Sequence, residues 1–182
     1  GSRLTFDSDR MALALYRPFT KQWLYFDRKL NDMVYQMPRL FPAGANNRAI
    51  MVKQRWSGIG QLALLVDTIP DLQTDGGAQS FPLYLYDGPD ISDGNNAPED
   101  DAEQAELFAT PKKSTSGKAR RDGITDEGLA HFHAAYPGED ITKEDVFYYV
   151  YGVLHTADYR GRYADNLGKE LPRIPRVKKA PD

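Results

Sequence analysis

The 182-residue sequence predicts an α+β fold, with a strand-rich first half in a mixed or antiparallel sheet and a helical C-terminal segment. Three observations lead there. Short aromatic and aliphatic runs separated by turn residues fill residues 11 to 86, as in half-buried strands. From residue 126 the apolar spacing changes to the helical i, i+3, i+4 pattern. Hydrophobic residues make up 41% of the chain, enough at this length to bury a core without staples.

The elements follow in order. Met11 to Phe19 and Gln22 to Phe26 read as the two strands of a hairpin around Pro18-Phe19-Thr20-Lys21. Asn31 to Leu40 starts a helix that Pro38 ends or kinks. Arg48 to Arg55 and Gln61 to Asp67 are further strands on either side of Ser57-Gly58-Ile59-Gly60. The run Phe81 to Tyr86 closes the strand-rich part, with Pro82 best placed at a strand start or on an edge. Residues 87 to 122 are turn-forming and charged, and read as a long exposed loop. Asp126 to Tyr136 forms a helix with Thr125 as N-cap. Lys143 to His155 forms a stronger one, because Thr142 and Asp145 make a capping-box-like start. Val146, Tyr149, Val150, Val153 and Leu154 mark its buried face. Ala157 to Leu167 is a last helix, ending before Pro172 and Pro175. The organisation is one domain: a core over residues 3 to 86, the charged loop over 87 to 122, and a helical part over 123 to 182. The opening Gly1-Ser2-Arg3 reads as a cleaved-tag scar joined to an internal fragment.

The charge distribution matters more than its sum. Lys and Arg number 23 and Asp and Glu 26, a net charge of −3 that argues against a uniformly basic nucleic-acid binder. Eight of the acidic residues, however, lie in residues 87 to 106, which contain no Lys or Arg; the rest of the chain holds 23 basic against 18 acidic residues. Residues 1 to 66 are more biased still, with ten Lys and Arg against four Asp. Steering of a polyanion depends on this local field. The absence of cysteine excludes disulfides, thiolate zinc sites and cysteine nucleophiles, and suits a reducing cytoplasm. No stretch approaches the roughly 18 to 20 apolar residues of a membrane span.

Catalytic patterns are missing. A phosphate-binding loop needs Lys followed by Ser or Thr, but Gly117-Lys118 precedes Ala119 and Gly168-Lys169 precedes Glu170. There is no GxGxxG after a strand, no GxSxG, no HExxH and no Asn/Asp-Pro-Pro-aromatic run of an amino-methyltransferase. Asp27-Arg28-Lys29 precedes Pro70-Asp71 instead of following it, which disfavours a metal nuclease of the usual order. His131 and His133 are two residues apart and point to divergent sides of a helix, so with His155 they read as packing residues and not as zinc ligands.

Aromatics cluster in YRPFTKQWLYF and VFYYVYGVLH, and burial is the expectation for both. In the first, Arg17, Lys21, Arg28 and Lys29 interleave with the rings, which leaves room for a phosphate-facing surface. The segment Asn46 to Trp56 carries Asn, Arg and Gln side chains of the kind that make bidentate contacts with base edges.

Several motifs together are more specific: Tyr16-Arg-Pro-Phe19 with Trp23-Leu-Tyr-Phe-Asp27, Asp67-Thr-Ile-Pro-Asp71, Phe81-Pro-Leu-Tyr84, and Ile141 to His155 through Asp158-Tyr-Arg-Gly-Arg-Tyr163 to Leu171-Pro-Arg-Ile-Pro175. In these the chain resembles the C-terminal specificity domain of type ISP restriction-modification enzymes, most densely at 141 to 175. Those are long single polypeptides, often described as helicases or DNA methyltransferases, with nuclease, translocase, adenine methyltransferase and target-recognition parts. The resemblance implies a non-catalytic fragment that reads double-stranded DNA. Upstream methyltransferase and translocase domains of the same chain would use ATP, magnesium and S-adenosylmethionine. No cofactor, metal or membrane is expected for the fragment itself, and the location is expected to be cytoplasmic.

On that reading the Tyr-Arg-Pro-Phe and Phe-Pro-Leu-Tyr runs are scaffold, with Arg17 against a backbone or phosphate. Arg48, Lys53, Gln54 and Arg55 are the expected DNA contacts, and Lys112, Lys113, Arg120 and Arg121 mobile phosphate contacts. The alternative is an interdomain docking module that braces the methyltransferase part. It would leave a large apolar patch on the isolated helices.

Overall fold

The computed structural model describes residues 5–31, 34–71, 77–86 and 120–178. Three small sheets and a helical tail form the α+β architecture. A 3-10 turn at Ser8–Arg10 leads into β1 (Met11–Arg17), which pairs antiparallel with β2 (Thr20–Tyr25) and parallel with the short β5 (Ile69–Pro70). The second sheet has β3 (Ala49–Lys53) between β4 (Ala63–Val66) and β6 (Ala78–Pro82), antiparallel to both. The third is a two-stranded ribbon of β7 (Tyr84–Tyr86) and β8 (Arg120–Asp122). Among the described residues the helices are α1 (Met37–Leu40), α2 (Asp126–Ala135), α3 (Lys143–His155), α4 (Ala157–Arg162) and α5 (Ala164–Leu167).

β3 is buried on both faces because its side chains alternate between two cores. Ile50 and Val52 point into a cluster with Trp56, Leu62, Leu83, Phe147, Val153, Leu154, Tyr159 and Leu167, which joins the second sheet to the helices. Ala49 and Met51 point the other way, to Leu15, Leu64 and Val66, which joins it to β1. The middle sheet is thus sandwiched between the β1–β2 hairpin and the helices. Its uninterrupted apolar run Ala-Ile-Met-Val is what a two-sided environment requires.

Just before β3, Asn47 is buried and fully used. Its side-chain amide donates to the Leu40 and Tyr84 carbonyls, both at 2.7 Å, and its Oδ1 accepts from the Arg48 N–H at 2.8 Å and the Tyr84 N–H at 3.1 Å. One side chain therefore ties α1, β3 and β7 together. Asp27, also buried, closes the turn after β2: it pairs with Arg10 and accepts from the Lys29 N–H at 2.8 Å.

The caps of α2 and α3 form as the sequence predicts. Thr125 accepts from the Gly128 N–H, and Thr142 and Asp145 make a reciprocal capping box. Three expectations are corrected. Of the helix expected over Asn31 to Leu40, the described residues form only Met37–Leu40. Pro38 sits in its first turn, where a missing N–H costs nothing, and so opens the helix. The run Phe81 to Tyr86 is two strands, not one. At buried Leu83 the chain leaves β3 for β8, with its N–H on the Arg48 carbonyl at 2.7 Å and its carbonyl on the Gly123 N–H at 2.7 Å. Pro82 lies on an edge strand, as expected, at its last residue. The last helix divides at Tyr163, whose φ of −111° and ψ of 17° leave the helical range.

Beyond α5 the described residues, to 178, form no helix or strand, yet they are tied down. Tyrosine hydroxyls reach their carbonyls, and the Val177 N–H donates back to the Tyr149 hydroxyl at 2.8 Å. Tyr159 donates to the Arg173 carbonyl at 2.9 Å, Tyr149 to the Pro175 carbonyl at 2.6 Å, and Tyr136 to the Val177 carbonyl.

Two outcomes follow from this packing. Asn47→Ala leaves four backbone groups without their partner and is expected to cost about 3 kcal/mol in urea unfolding. Burial raises the Tyr149 and Tyr159 hydroxyls above the ordinary tyrosine range. A raised folded-state value favours the protonated form, so this stabilisation is complete below about pH 10 and lost as pH rises further. Urea midpoints measured between about pH 9 and pH 11 should fall, and Tyr149→Phe should flatten that fall.

Candidate nucleic-acid interface

The residues singled out from the sequence divide between the two ends of β3. Arg48 precedes the strand, while Lys53, Gln54 and Arg55 end it and continue into the next loop. At about 3.3 Å per residue, five residues set Arg48 roughly 17 Å from Lys53. They do not form one cluster.

At the Lys53 end, the β1–β2 turn and the β3–β4 loop come together: Pro18, Lys53, Gln61, Leu62 and Ala78 line one narrow crevice. Arg17 joins this end from the hairpin, its guanidinium 4.6 Å from the Tyr16 ring centre. The β3–β4 loop is rigid because of Trp56. That side chain is buried, its indole N–H donates to the Gly60 carbonyl at 3.2 Å, and its backbone N–H donates to the Leu167 carbonyl at 2.9 Å. Gly58 and Gly60 have φ of 83° and 73°, left-handed values that glycine adopts without a steric cost. With the loop pinned from beneath, Gln54 and Arg55 are exposed and carry no side-chain partner among the described residues. Lys53 is half-buried beside them.

The Arg48 end differs. The Arg48 guanidinium donates to the Tyr148 hydroxyl and lies 6.0 Å from that ring, linking β3 to α3. Arg120 stacks 4.0 Å over Tyr84, and Arg121 is exposed across from Leu85 on the ribbon. Both were expected on a mobile loop; both stand instead in β8. Lys112 and Lys113 lie outside the described residues. Nearby, Lys143 bridges Asp126 at 2.6 Å and Asp122 at 3.2 Å. Its hydrogen bond to Asp126 holds the ammonium above its ordinary range and the Asp126 carboxyl below its own.

The aromatic expectation holds for one cluster and fails for the other. Phe147 is buried in α3, and its neighbours Tyr148 and Tyr149 are half-buried. In the hairpin, Phe19 is 74% and Trp23 70% exposed. Ile59 and Gln61 were not singled out from the sequence, although a Gly-Ile-Gly loop was visible as a place where side chains project. The histidines line no shared site: His133 meets the Ile141 carbonyl at 2.8 Å, and His155 lies 4.5 Å from the Tyr151 ring.

The family model of the Type ISP C-terminal specificity domain matches residues 1–182. The chain belongs to that family. Among solved structures, it is similar to the ATP-dependent Type ISP restriction-modification enzyme LlaBIII bound to DNA. The identity is 30% and the TM-score 0.70, covering 96% of this chain and 10% of that one. The DrdV–DNA complex matches at 31% identity and a TM-score of 0.71, over 94% of this chain and 14% of that one. A nuclease-deletion mutant of the Type ISP enzyme LlaGI in complex with a DNA substrate mimic matches at 30% identity and a TM-score of 0.64, covering 97% and 13%. This Type ISP specificity domain therefore spans only about a tenth to a seventh of the chains it matches. No curated protein sequence matches it.

The anchoring role of Trp56 gives a direct check. Trp56→Ala is expected to destabilise the domain by about 3–5 kcal/mol in urea. It should also free the amide of residue 56 to exchange with solvent, while the Asn47-bonded amide of Tyr84 stays protected.

Proposed function

We propose that this chain is the DNA target-recognition domain of a longer restriction-modification polypeptide and performs no catalytic step itself. The observation that carries this reading is the Lys53 end of β3, where Gln54 and Arg55 project from a loop that Trp56 holds rigid. A rigid loop carrying unpaired Arg and Gln side chains suits reading base edges: Arg pairs bidentately with guanine and Gln with adenine. Arg17 and Lys53 beside them are placed to meet phosphates, which fix register without reading sequence.

The Arg48 end supplies a second, positioning contact. Arg120 and Arg121 on β8, with Lys112 and Lys113 before them in the chain, are phosphate contacts in this reading. Arg48 acts mainly through Tyr148, by holding the helices to β3. Membership of the Type ISP family and the DNA-bound state of the similar structures support the same assignment. In the whole polypeptide, upstream translocase and methyltransferase parts would use ATP, magnesium and S-adenosylmethionine, in the cytoplasm. Among the described residues no helix is long and apolar enough to cross a membrane.

The docking alternative called for an apolar patch on the helices. Among the described residues the exposed large apolar side chains lie on the strand-rich half, and only Val177 lies beyond it. Target reading is the better supported function.

Selection from a randomised duplex pool at two salt concentrations tests it. One short motif should be enriched, with affinity falling steeply as salt rises, by a slope of about −0.9 per phosphate contacted. Gln54→Ala is expected to relax preference at a single base pair, by about 1–3 kcal/mol of discrimination. Arg55→Glu should weaken binding by tenfold or more, roughly the cost of one lost base contact. Arg48→Ala should lower the thermal midpoint and leave the enriched motif unchanged. Retention of no duplex at low salt would refute the reading.

A further inference from the structure

The charged and amide side chains leave two features of the Lys53 end unused. Ile59 and Phe19, 78% and 74% exposed, are the two most exposed large apolar side chains among the described residues. Each stands at the tip of a tight turn. Phe19 follows Pro18 with a φ of 67°, and Ile59 lies between two glycines of left-handed backbone.

The backbone at Phe19 makes its side chain informative. A proline followed by a left-handed residue is the order found in type II turns, where glycine or asparagine is usual at the second position. A bulky residue there is strained, and such strain persists where the surroundings or a function require it. Phe19 is not held by burial. The chain carries a phenyl ring where glycine would fold more easily, and exposes it.

The two tips belong to one surface. Pro18, next to Phe19, lines the same crevice as Lys53 and Gln61, which flank the Ile59 loop. Around them the segments 16 to 22 and 53 to 61 contain Arg17, Lys21, Lys53 and Arg55 and no Asp or Glu. Lys21 is paired with Asp67 at 2.6 Å. Apolar tips ringed by cations fit a polyanion that carries flat apolar surfaces inside its charged rim. Duplex DNA has that chemistry, and Phe and Ile are side chains able to enter a base step and unstack it.

We propose that Phe19 and Ile59 form an apolar wedge that enters a base step of the bound duplex, guided by Arg17, Lys53 and Arg55. This rests on the target-recognition reading and adds to it a deformation of the DNA. Specificity then arises partly from the ease with which a step opens, not from base edges alone.

The test uses the intact polypeptide and the duplex enriched from the random pool, with 2-aminopurine substituted at successive positions. Wild type should raise the fluorescence at one step, and F19G with I59S should abolish that rise and weaken binding about tenfold. F19G relieves a strained turn, so its thermal midpoint without DNA should be unchanged or higher. Three results would overturn the wedge: no rise at any position with wild type, variants that unstack like wild type, or a lower DNA-free midpoint in both variants. The last would mean that the tips pack on another part of the polypeptide. If wild type retains no duplex at all, target recognition itself fails, a result distinct from the other three.

Discussion

The burial of β3 on both faces is the constraint on which the other parts depend. Its four fully buried residues feed two cores in alternation, one shared with the hairpin and one with the helices. A slip of one residue would exchange the two sets, placing Ile50 and Val52 against β1 and Ala49 and Met51 against α3. The cores differ in the volume they must fill, so the register is strongly specified. Because the strand cannot slide, the loops at its two ends are held at a fixed separation. In the proposed reading, that fixed separation would let two groups of cations act on one extended ligand.

Cations in the sequence and cations available to a ligand are different populations. Arg10 is held by Asp27, Lys21 by Asp67, and Lys143 by Asp122 and Asp126. Arg17, Arg48 and Arg120 lie against tyrosine rings. A cation already donating to a carboxylate must give up that contact before it can serve a phosphate, and exposed pairs contribute little stability either way. The basic excess read from residues 1 to 66 therefore overstates the field at any one point. At the Lys53 end, Arg55 is exposed and carries no side-chain partner among the described residues.

Much of the fold was legible in the sequence because local chemistry decides it. The helix starts at Thr125 and Thr142 are capping events between residues three apart, and the hairpin is a short apolar run on each side of a turn. The site was half legible. Arg17, Lys53, Gln54 and Arg55 do gather at one end, but Arg48, adjacent to them in the chain, does not, since strand direction and not sequence distance decides neighbourhood. The division at Leu83 was not legible: it depends on Arg48 and Gly123, each about forty residues away along the chain. Burial of the hairpin aromatics was misjudged for the same reason. Periodicity says which side chains share a face of β2, not whether anything covers that face.

The helices contribute to recognition without touching DNA in this reading. The β3–β4 loop is fastened to them at two levels: the Trp56 N–H on the Leu167 carbonyl, and the Trp56 ring in the same core as Leu167, Tyr159 and Leu154. Leu167 is in turn positioned by the break at Tyr163, which lets α5 turn back toward that loop. The tyrosine contacts to residues 173 to 177 then hold the segment after α5 against α2 and α3. The strand-rich half offers the side chains, and the helical half fixes the loop that presents them. Without that support the ordering cost of the loop would fall on the binding step, and affinity would drop by the same amount.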